Sequence, residues 1–592
     1  MPKLLNLLEI FFVDNKLRLS ILGLQLLFLL SSLFEILGIS SIGPLFYVLN
    51  SGEDSLNNTY LRLLYDFFNP SSFEMFAIYL SLAAISAVLL GGFFSIMSFI
   101  FLTRVATYGG VYLGNKLFKY YLQKDWLFFL KTKKSKIINE IYQETSRVTE
   151  NILVQCLIIN KASYLAFFIL LLLFFIDWKL TLSFFFFLAG VYVLIYIFLR
   201  GNLNRNSREL TNAHEGRFKY LDDTFSSMKE IHIWNNSYIF LRGFNLASVK
   251  WSKALRKNLN SANLPRFLVE TFVLLSICIF FLFAYVNNEA NVSILLSKYS
   301  VFIFSALKLL PALQQMFTGS ATIAGNKYSL INLTEILNSE EFLSSVDQEL
   351  KEEPKKLEIK NISFRYAADG FSINDISFEA TEDNLIGITG FSGGGKSTLL
   401  DILMGLLKPT SGEILINNKS FEIYENLAWF RKISYLPQKI SILNEDIISN
   451  IKFLDDAEID QEKLKTIQLQ SNILDFFNSD ESSSSSQFQT KNLSGGQLQR
   501  LGIARTLYKD TSILFFDEPT SALDNLNKQH FISEMLKYKK GRIIFIVTHD
   551  MDLLKQTDQV LVMDDGSLEF IGKYDTALHN SKVLQKLISK NN

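Results

Sequence analysis

Cysteine is almost absent from this sequence: Cys156 and Cys278 are the only two in 592 residues. Both lie in apolar stretches, with neither the spacing of a metal site nor that of a stapled secreted domain. A disulfide scaffold is therefore excluded, and both residues read as small core hydrophobes. Proline is scarce too, at nine residues, which rules out collagen-like and proline-rich disordered chains. Charge is thin: 20% of residues carry it, against about 25% in a typical soluble protein. Lys and Arg total 58, as do Asp and Glu, so no overall basic field favours nucleic acid as a partner. Apolar residues fill the gap. They make up 49% of the chain, and 53 of them are Phe. The length predicts several domains, and the composition places part of the chain in a membrane.

The apolar residues gather in the first half. Met75–Thr103, Ala162–Ile176 and Leu180–Leu199 carry no charge. Leu19–Asn50 is interrupted by Glu35, Phe267–Val286 by Glu270, and Val292–Ala324 by Lys298 and Lys308. A bilayer core of about 30 Å takes about 20 helical residues. The sequence thus predicts six spans, over 19–50, 75–103, 152–176, 180–200, 267–286 and 292–324. Residues 104–150 hold nine Lys or Arg and 200–266 hold twelve, whereas 51–74, 177–179 and 287–291 hold only Arg62 and Lys179. Positive charge marks the cytoplasmic side, so the long loops and both termini are expected there. Met1–Lys16 reads as an interfacial helix, and Asn57–Phe68 as an amphipathic segment in the outer loop. Each long inner loop is expected to extend two helices and turn back, near Asp125–Phe129 and near Trp234–Ser237, where Asn235-Asn236-Ser237 is a breaker.

Beyond about residue 325 the composition changes. Residues 338–357 are charged and contain Pro354, the pattern of a linker. From Leu357, short β-type runs alternate with helical patterns: Ile386–Ile388, Ile414–Ile416, Ile433–Leu436, Ile513–Phe516, Ile543–Val547 and Val560–Met563. That alternation argues for an α/β domain. The expected organisation is an all-α six-helix transmembrane domain (1–325), a linker (326–356) and an α/β domain (357–592). Ser482–Ser486 reads as a flexible loop.

The chemistry lies in the second half. The strand Ile386–Thr389 runs into Gly390-Phe391-Ser392-Gly393-Gly394-Gly395-Lys396-Ser397-Thr398, which matches the phosphate-binding pattern G-x-x-x-x-G-K-[ST]. Its glycines let backbone N–H groups wrap phosphate oxygens, with the positive end of the following helix behind them. Lys396 would neutralise phosphate charge, and the Ser397 hydroxyl would hold Mg²⁺. Farther on, the strand Ile513–Phe516 ends in Asp517-Glu518. Asp517 is placed to bind Mg²⁺, and Glu518 to polarise the attacking water.

Leu493-Ser494-Gly495-Gly496-Gln497 resembles the signature of ATP-binding-cassette (ABC) proteins and falls between those two nucleotide motifs, as the family requires. The resemblance extends to other positions in order. Tyr366 matches the aromatic that stacks on adenine, and Gln438 the glutamine that contacts Mg²⁺ and water. Asp524, in Ser521-Ala522-Leu523-Asp524, matches the D-loop, and His549 the switch histidine at the γ-phosphate. Six helices followed by one cassette resemble an exporter-type half-transporter over the whole chain. The resemblance implies an ATP hydrolase coupled to transport in a homodimer, with Ser494 and Gly496 reaching the nucleotide held by the second copy. The stretch before the signature, Ser482–Asn492, departs from the usual Gly/Glu-rich pattern.

Glu35, Gly38 and Pro44 in the first span, the outer amphipathic helix and Leu309-Leu310-Pro311 make the membrane half similar to bacterial flippases for lipid-linked oligosaccharides (the PglK type). The implied place is the bacterial cytoplasmic (inner) membrane. A pyrophosphate head would need cations within the bilayer; Arg104, Arg266, Lys298 and Lys308 lie near or inside spans, and Arg104, Arg266 and Lys308 are the candidate substrate residues. Two further readings stand beside this one: an exporter of lipid A-like lipids, peptides or drugs, and a non-transporting membrane regulator.

Overall fold

The computed structural model describes residues 14–286, 292–338, 349–350, 352–366, 370–455, 457–474 and 493–591. Met1–Val13, Ser482–Ser486, the outer loop 287–291 and most of 338–357 lie outside this set, as do the side chains of Cys278 and Lys298. The chain forms two compact units. Met1–Gln123 and Thr132–Phe342 make the first, and Lys124–Lys131 and Leu343–Asn592 the second.

The first unit is helical. Its six long helices are α1 (Asn15–Ser51), α2 (Phe73–Leu122), α3 (Val154–Ile176), α4 (Trp178–Ser226), α5 (Ser237–Val286) and α6 (Val292–Gly325). At 1.5 Å per residue a 50-residue helix such as α2 or α5 is about 75 Å long, well beyond a bilayer core. Asp14 caps α1 by accepting from the Lys16 N–H at 2.8 Å. Among the described residues, four helical runs are long and apolar enough to cross a membrane: Asn15–Leu49, Phe73–Leu122, Lys134–Ile176 and Val301–Gly325. The run into α3 is not regular, because π-type turns at Glu140–Glu144 and Thr149–Leu153 interrupt it.

Small residues let α1 and α2 come close. A Cβ on Gly91 would sit 3.1 Å from the backbone N of Glu35 and 3.2 Å from its Cα, so α2 pins the backbone of α1 at Glu35. The amphipathic outer segment is the helix Thr59–Phe68, capped by Asn58, with Leu61 buried beside Val48, Phe76 and Leu80. Between α4 and α5 the helix Met228–Trp234 ends on Asn235 in the left-handed region, φ 51°. This residue type tolerates that conformation, and it reverses the chain there.

One part of the expected linker is ordered differently. Lys327–Asn338 is a helix, and it buries Leu330 and Leu333 with Leu17, Leu113 and Leu117 of the first unit. Leucines three apart gave it an apolar face, which the charged residues beyond Asn338 obscured.

The second unit is built on two sheets. Strands β1 (Lys356–Arg365), β2 (Ser372–Thr381), β4 (Ser411–Ile416) and β5 (Lys419–Ser420) pair antiparallel in the order β2-β1-β4-β5. The larger sheet has the order β10-β9-β3-β8-β7-β6, with β3 (Asn384–Gly390), β6 (Ile433–Leu436), β7 (Ile513–Asp517), β8 (Ile543–Val547) and β9 (Gln559–Asp564) parallel. Its edge strand β10 (Ser567–Gly572) runs antiparallel to β9. The central strands are nearly unbroken apolar runs because both their faces are covered. Ile386, Ile388, Phe515 and Phe545 enter one core, whereas Leu385, Leu514, Phe516 and Ile544 enter the other. Phe515 and Phe545 stack with ring centres 5.2 Å apart. Each such fully buried ring contributes about 2–3 kcal/mol.

Candidate functional site

In a parallel sheet, ligands bind beyond the carboxyl ends of the strands. The order β3-β8-β7-β6 sets four motifs side by side at that edge. The loop Gly390–Lys396 leaves β3, His549 follows β8, Glu518 follows β7, and Gln438 lies two residues beyond β6.

The loop shape depends on glycine at its first position. Gly390 has φ 148°, and a Cβ there would come 2.2 Å from the Met563 carbonyl oxygen. Gly393 and Gly395 also have left-handed φ, at 82° and 98°. Helix α7 (Lys396–Leu403) starts directly on the loop, so Ser392, Gly394, Ser397 and Thr398 all lie around its N-terminus. Lys396 is buried, and its Nζ donates to the Gly390 and Phe391 carbonyls, both at 2.8 Å. Glycine at 390 lets the loop backbone pass against the Met563 carbonyl, where no side chain would fit, and the resulting tight turn into a helix N-terminus suits a phosphate chain.

Asp517 ends β7, and Glu518 sits in the left-handed region at φ 54°. Such a conformation is uncommon outside glycine. Neighbours hold it there: the Glu518 N–H donates to the Val547 carbonyl at 2.9 Å, and its own carbonyl accepts from Gln499 Nε2 at 3.2 Å and from the Ser521 hydroxyl at 3.0 Å. Gln499 is a positioning residue that the sequence reading missed. It lies five residues past Ser494 on α8 (Gly495–Tyr508) and is buried.

The electrostatics of this edge follow from crowding. Burial raises the Glu518 carboxyl above its ordinary value, against the opposing pull of Lys396. Asp517 is raised by burial and then by Glu518. Lys396 is lowered by burial, although both carboxylates favour its charge. Burial and then Lys396 lower His549. His549 Nε2 lies 3.5 Å from Glu518 Oε1; with the imidazole biased to neutral, that contact is not an ion pair at neutral pH. Lys528 bonds Asp550 at 2.7 Å, and Asp550 caps the short helix after His549, which fixes the loop.

The remaining predicted positions fall into place by element. The Tyr366 hydroxyl lies 3.2 Å from Thr398 Oγ1, so the ring stands beside the start of α7. Phe371, unnoticed in the sequence, lies against Gly395, with its ring edge 3.0 Å from where a Cβ would be. Ser494 caps α8 in a reciprocal box: its hydroxyl accepts from the Gln497 N–H at 3.3 Å, and Gln497 Oε1 accepts from the Ser494 N–H at 2.8 Å. Gly495 and Gly496 pack against Ala522. Asp524 caps α9 (Asn525–Tyr538) by accepting from the Asn527 N–H at 2.8 Å. Gln438 is exposed.

Residues Lys124–Lys131, one of the expected tips, carry the helix Trp126–Lys131 and belong to this unit. Leu127 packs on the core, and Trp126 Nε1 donates to Asp401 Oδ2 on α7 at 3.4 Å. Burial pushes the Asp401 carboxyl up to about 6, from about 3.9 in an unfolded chain. Well below pH 4 the group is neutral in both states and costs nothing. Its burial cost builds as pH rises from about 4 to about 6, where the unfolded chain ionises and the folded one does not, reaching about 2–3 kcal/mol above pH 6. Asp401→Asn keeps an acceptor for Trp126. It is expected to raise the thermal midpoint of the nucleotide-free protein at pH 7.5, with the gain shrinking to a small fraction as pH falls to about 4. An equal gain at both pH values would contradict this origin.

In the helical unit the three cations expected to bind substrate lie on three different helices, α2, α5 and α6. Arg104 is exposed on α2. Arg266 Nε bonds Glu270 Oε1 at 2.9 Å one turn along its own helix, so its charge is already paired. Lys308 instead pairs with Glu35 of α1, Nζ to Oε2 at 3.2 Å. A residue outside the expected set lies near that pair. Lys161 of α3 donates to the Ser95 carbonyl at 3.1 Å and to its hydroxyl at 3.0 Å, and Ser95 is one turn along α2 from Gly91, which packs on the Glu35 backbone.

Comparison with known proteins agrees with both halves. Residues 373–521 match the ABC transporter family model, and residues 40–307 match the ABC transporter transmembrane region. An ATP-dependent lipid A-core flippase of Burkholderia orbicola is 23% identical over 509 residues, covering 85% of this chain and 84% of that protein. One of the same description from Pseudomonas aeruginosa is 27% identical over 409 residues, 68% and 66% of the two chains. The solved structure of a bacterial Atm1-family ABC exporter with ATP bound superposes with a TM-score of 0.78 at 20% identity, over 98% of this chain and 99% of that one. With the phosphate loop, the strand-end carboxylates and the signature in one sheet unit and long apolar helices in the other, the chain belongs to the ABC transporters, a transmembrane region of exporter fold fused to an ATPase whose hydrolysis is coupled to transport.

Proposed function

We propose that two copies of this chain, bound to ATP and Mg²⁺, move a lipid with a phosphate-bearing head across the bacterial cytoplasmic membrane. The observation that carries the substrate class is the set Glu35, Lys161 and Lys308 among apolar helices, with one more cation than anion among these described residues. Charges at that depth are costly and usually serve function. The relatives described as lipid A-core flippases support a lipid with an anionic head. A lipid-linked oligosaccharide carries the same pyrophosphate chemistry and remains within the proposal.

For hydrolysis, the Gly390–Lys396 loop would wrap the phosphates, and Ser397, Asp517 and Gln438 would hold Mg²⁺, which supplies neutralisation of the phosphate charge when bound. Tyr366 and Phe371 would flank the base. Glu518, raised toward neutrality, would take the proton of the attacking water as its oxygen bonds the γ-phosphorus and the bond to the leaving ADP oxygen breaks. His549 would orient that group. The signature Ser494-Gly495-Gly496 is engaged with Ala522 and its own helix cap, and would face the nucleotide of the second copy. ATP would hold the two cassettes together and hydrolysis would release them. The test is ATP-driven movement of labelled lipid A, or of a polyprenyl-pyrophosphate glycan, in liposomes holding the purified protein.

A further inference from the structure

The group between α1, α3 and α6 is charged in an uneven way. Glu35 carries one negative charge, and Lys161 and Lys308 carry two positive ones. In the structure Lys308 has a carboxylate partner, whereas among the described residues Lys161 donates only to the neutral oxygens of Ser95. The two partners of the ion pair differ in access: the Lys308 side chain is 54% exposed and Glu35 9%. The ammonium group is open, with the carboxylate behind it.

Resting on the transport reading above, we propose that this group is an anion site in which Glu35 is an internal counter-ion that a phosphate-bearing head displaces. A phosphate monoester carries about −1.5 to −2 charge near pH 7 and three strong acceptor oxygens. Its several acceptor oxygens suit it to both Lys308, the partner of Glu35, and Lys161, whose partner Ser95 lies one turn along α2 from the Gly91 that packs on Glu35; the Glu35 carboxylate is bonded to Lys308. Charge-assisted bonds of this kind are the strong ones, and in an apolar surround an unpaired cation is costly. The exchange is local. Gly91 packs against the backbone of Glu35, so α1 is held and the carboxylate moves by side-chain rotation. Its departure removes the ion pair between α1 and α6, leaving the apolar contacts of Gly43 with Val301 and Phe46 with Phe304. Occupancy of the site and the tie between α1 and α6 are therefore mutually exclusive.

The test uses the full chain in phosphatidylcholine nanodiscs, without ATP, doped with phosphatidic acid as the probe and read by native mass spectrometry. Lys308→Gln and Lys161→Gln are each expected to weaken phosphatidic acid binding about tenfold, the effect of losing about 1.4 kcal/mol. Glu35→Gln removes the competitor and is expected to tighten binding at least about threefold. That gain cannot come from misfolding, so it separates the proposal from simple damage. Excess inorganic phosphate separates the sources. Displacement of the lipid shows that the phosphate group alone is bound, and retention shows that the acyl chains hold it as well; either result supports the anion site. Glu35→Gln binding no tighter than wild type, or both lysine variants binding as wild type, overturns it. A chain that binds in this pattern but moves no lipid refutes transport alone. One that moves lipid with unaltered binding in all three variants refutes this site alone.

Discussion

Glu518→Gln is expected to reduce ATP hydrolysis by about 10²–10⁴-fold, the usual contribution of a placed general base, with ATP still bound. The amide matches the carboxylate in shape, so the backbone bonds to Val547, Gln499 and Ser521 remain. Only the capacity to take a proton is lost. The buried setting that raises the Glu518 carboxyl makes it a stronger proton acceptor than a solvent-exposed carboxylate. Measuring turnover and nucleotide binding on the same preparation separates the two effects. Wild-type turnover in the variant would remove Glu518 from the reaction, and it would revive the reading of a non-transporting regulator.

Two inactive copies are expected to rescue each other. Lys396→Ala removes the cation of the phosphate loop. Gly495→Asp puts a negative charge where the second copy's nucleotide would lie. There is room for it, because a Cβ on Gly495 meets only the Ala522 Cβ, at 3.7 Å, and an acidic residue in the first turn suits the helix dipole. Each variant alone fails in both sites. A pair made of one of each has one site carrying both lesions and one carrying neither. Purified through two different tags, such pairs are expected to recover about half of wild-type hydrolysis, since one of two symmetry-related sites is intact. Activity no higher than either variant alone would show that the site is not shared between copies.

Much of the nucleotide site was legible because it is local. Gly390–Lys396, Asp517-Glu518, Ser494–Gln497 and His549 are short runs whose chemistry depends on residue order, and the parallel sheet then aligns the ends of neighbouring strands. What stayed hidden depends on contacts across the fold. Gln499 is an unremarkable glutamine until α8 sets it under the Glu518 carbonyl. Trp126 is about 275 residues from Asp401, and no periodicity links them. In the membrane half the partners of the cations stayed hidden. Glu270 reads as an interruption of a span, whereas it is the partner of Arg266 one turn on. Lys161 stands next to the uncharged run Ala162–Ile176 and reads as its boundary, whereas its bonds to Ser95 place it against α2. The helix Lys327–Asn338 was lost to the charged stretch beside it.

The most direct measurement is lipid movement itself: liposomes containing the purified protein and a labelled phosphate-bearing lipid, followed with ATP, without ATP, and with Glu518→Gln. Movement is expected only for the wild type with ATP. Equal movement in all three, or hydrolysis in the wild type with no movement of either lipid A or the polyprenyl-pyrophosphate glycan, would contradict the proposal that this ATPase drives an anionic lipid across the membrane.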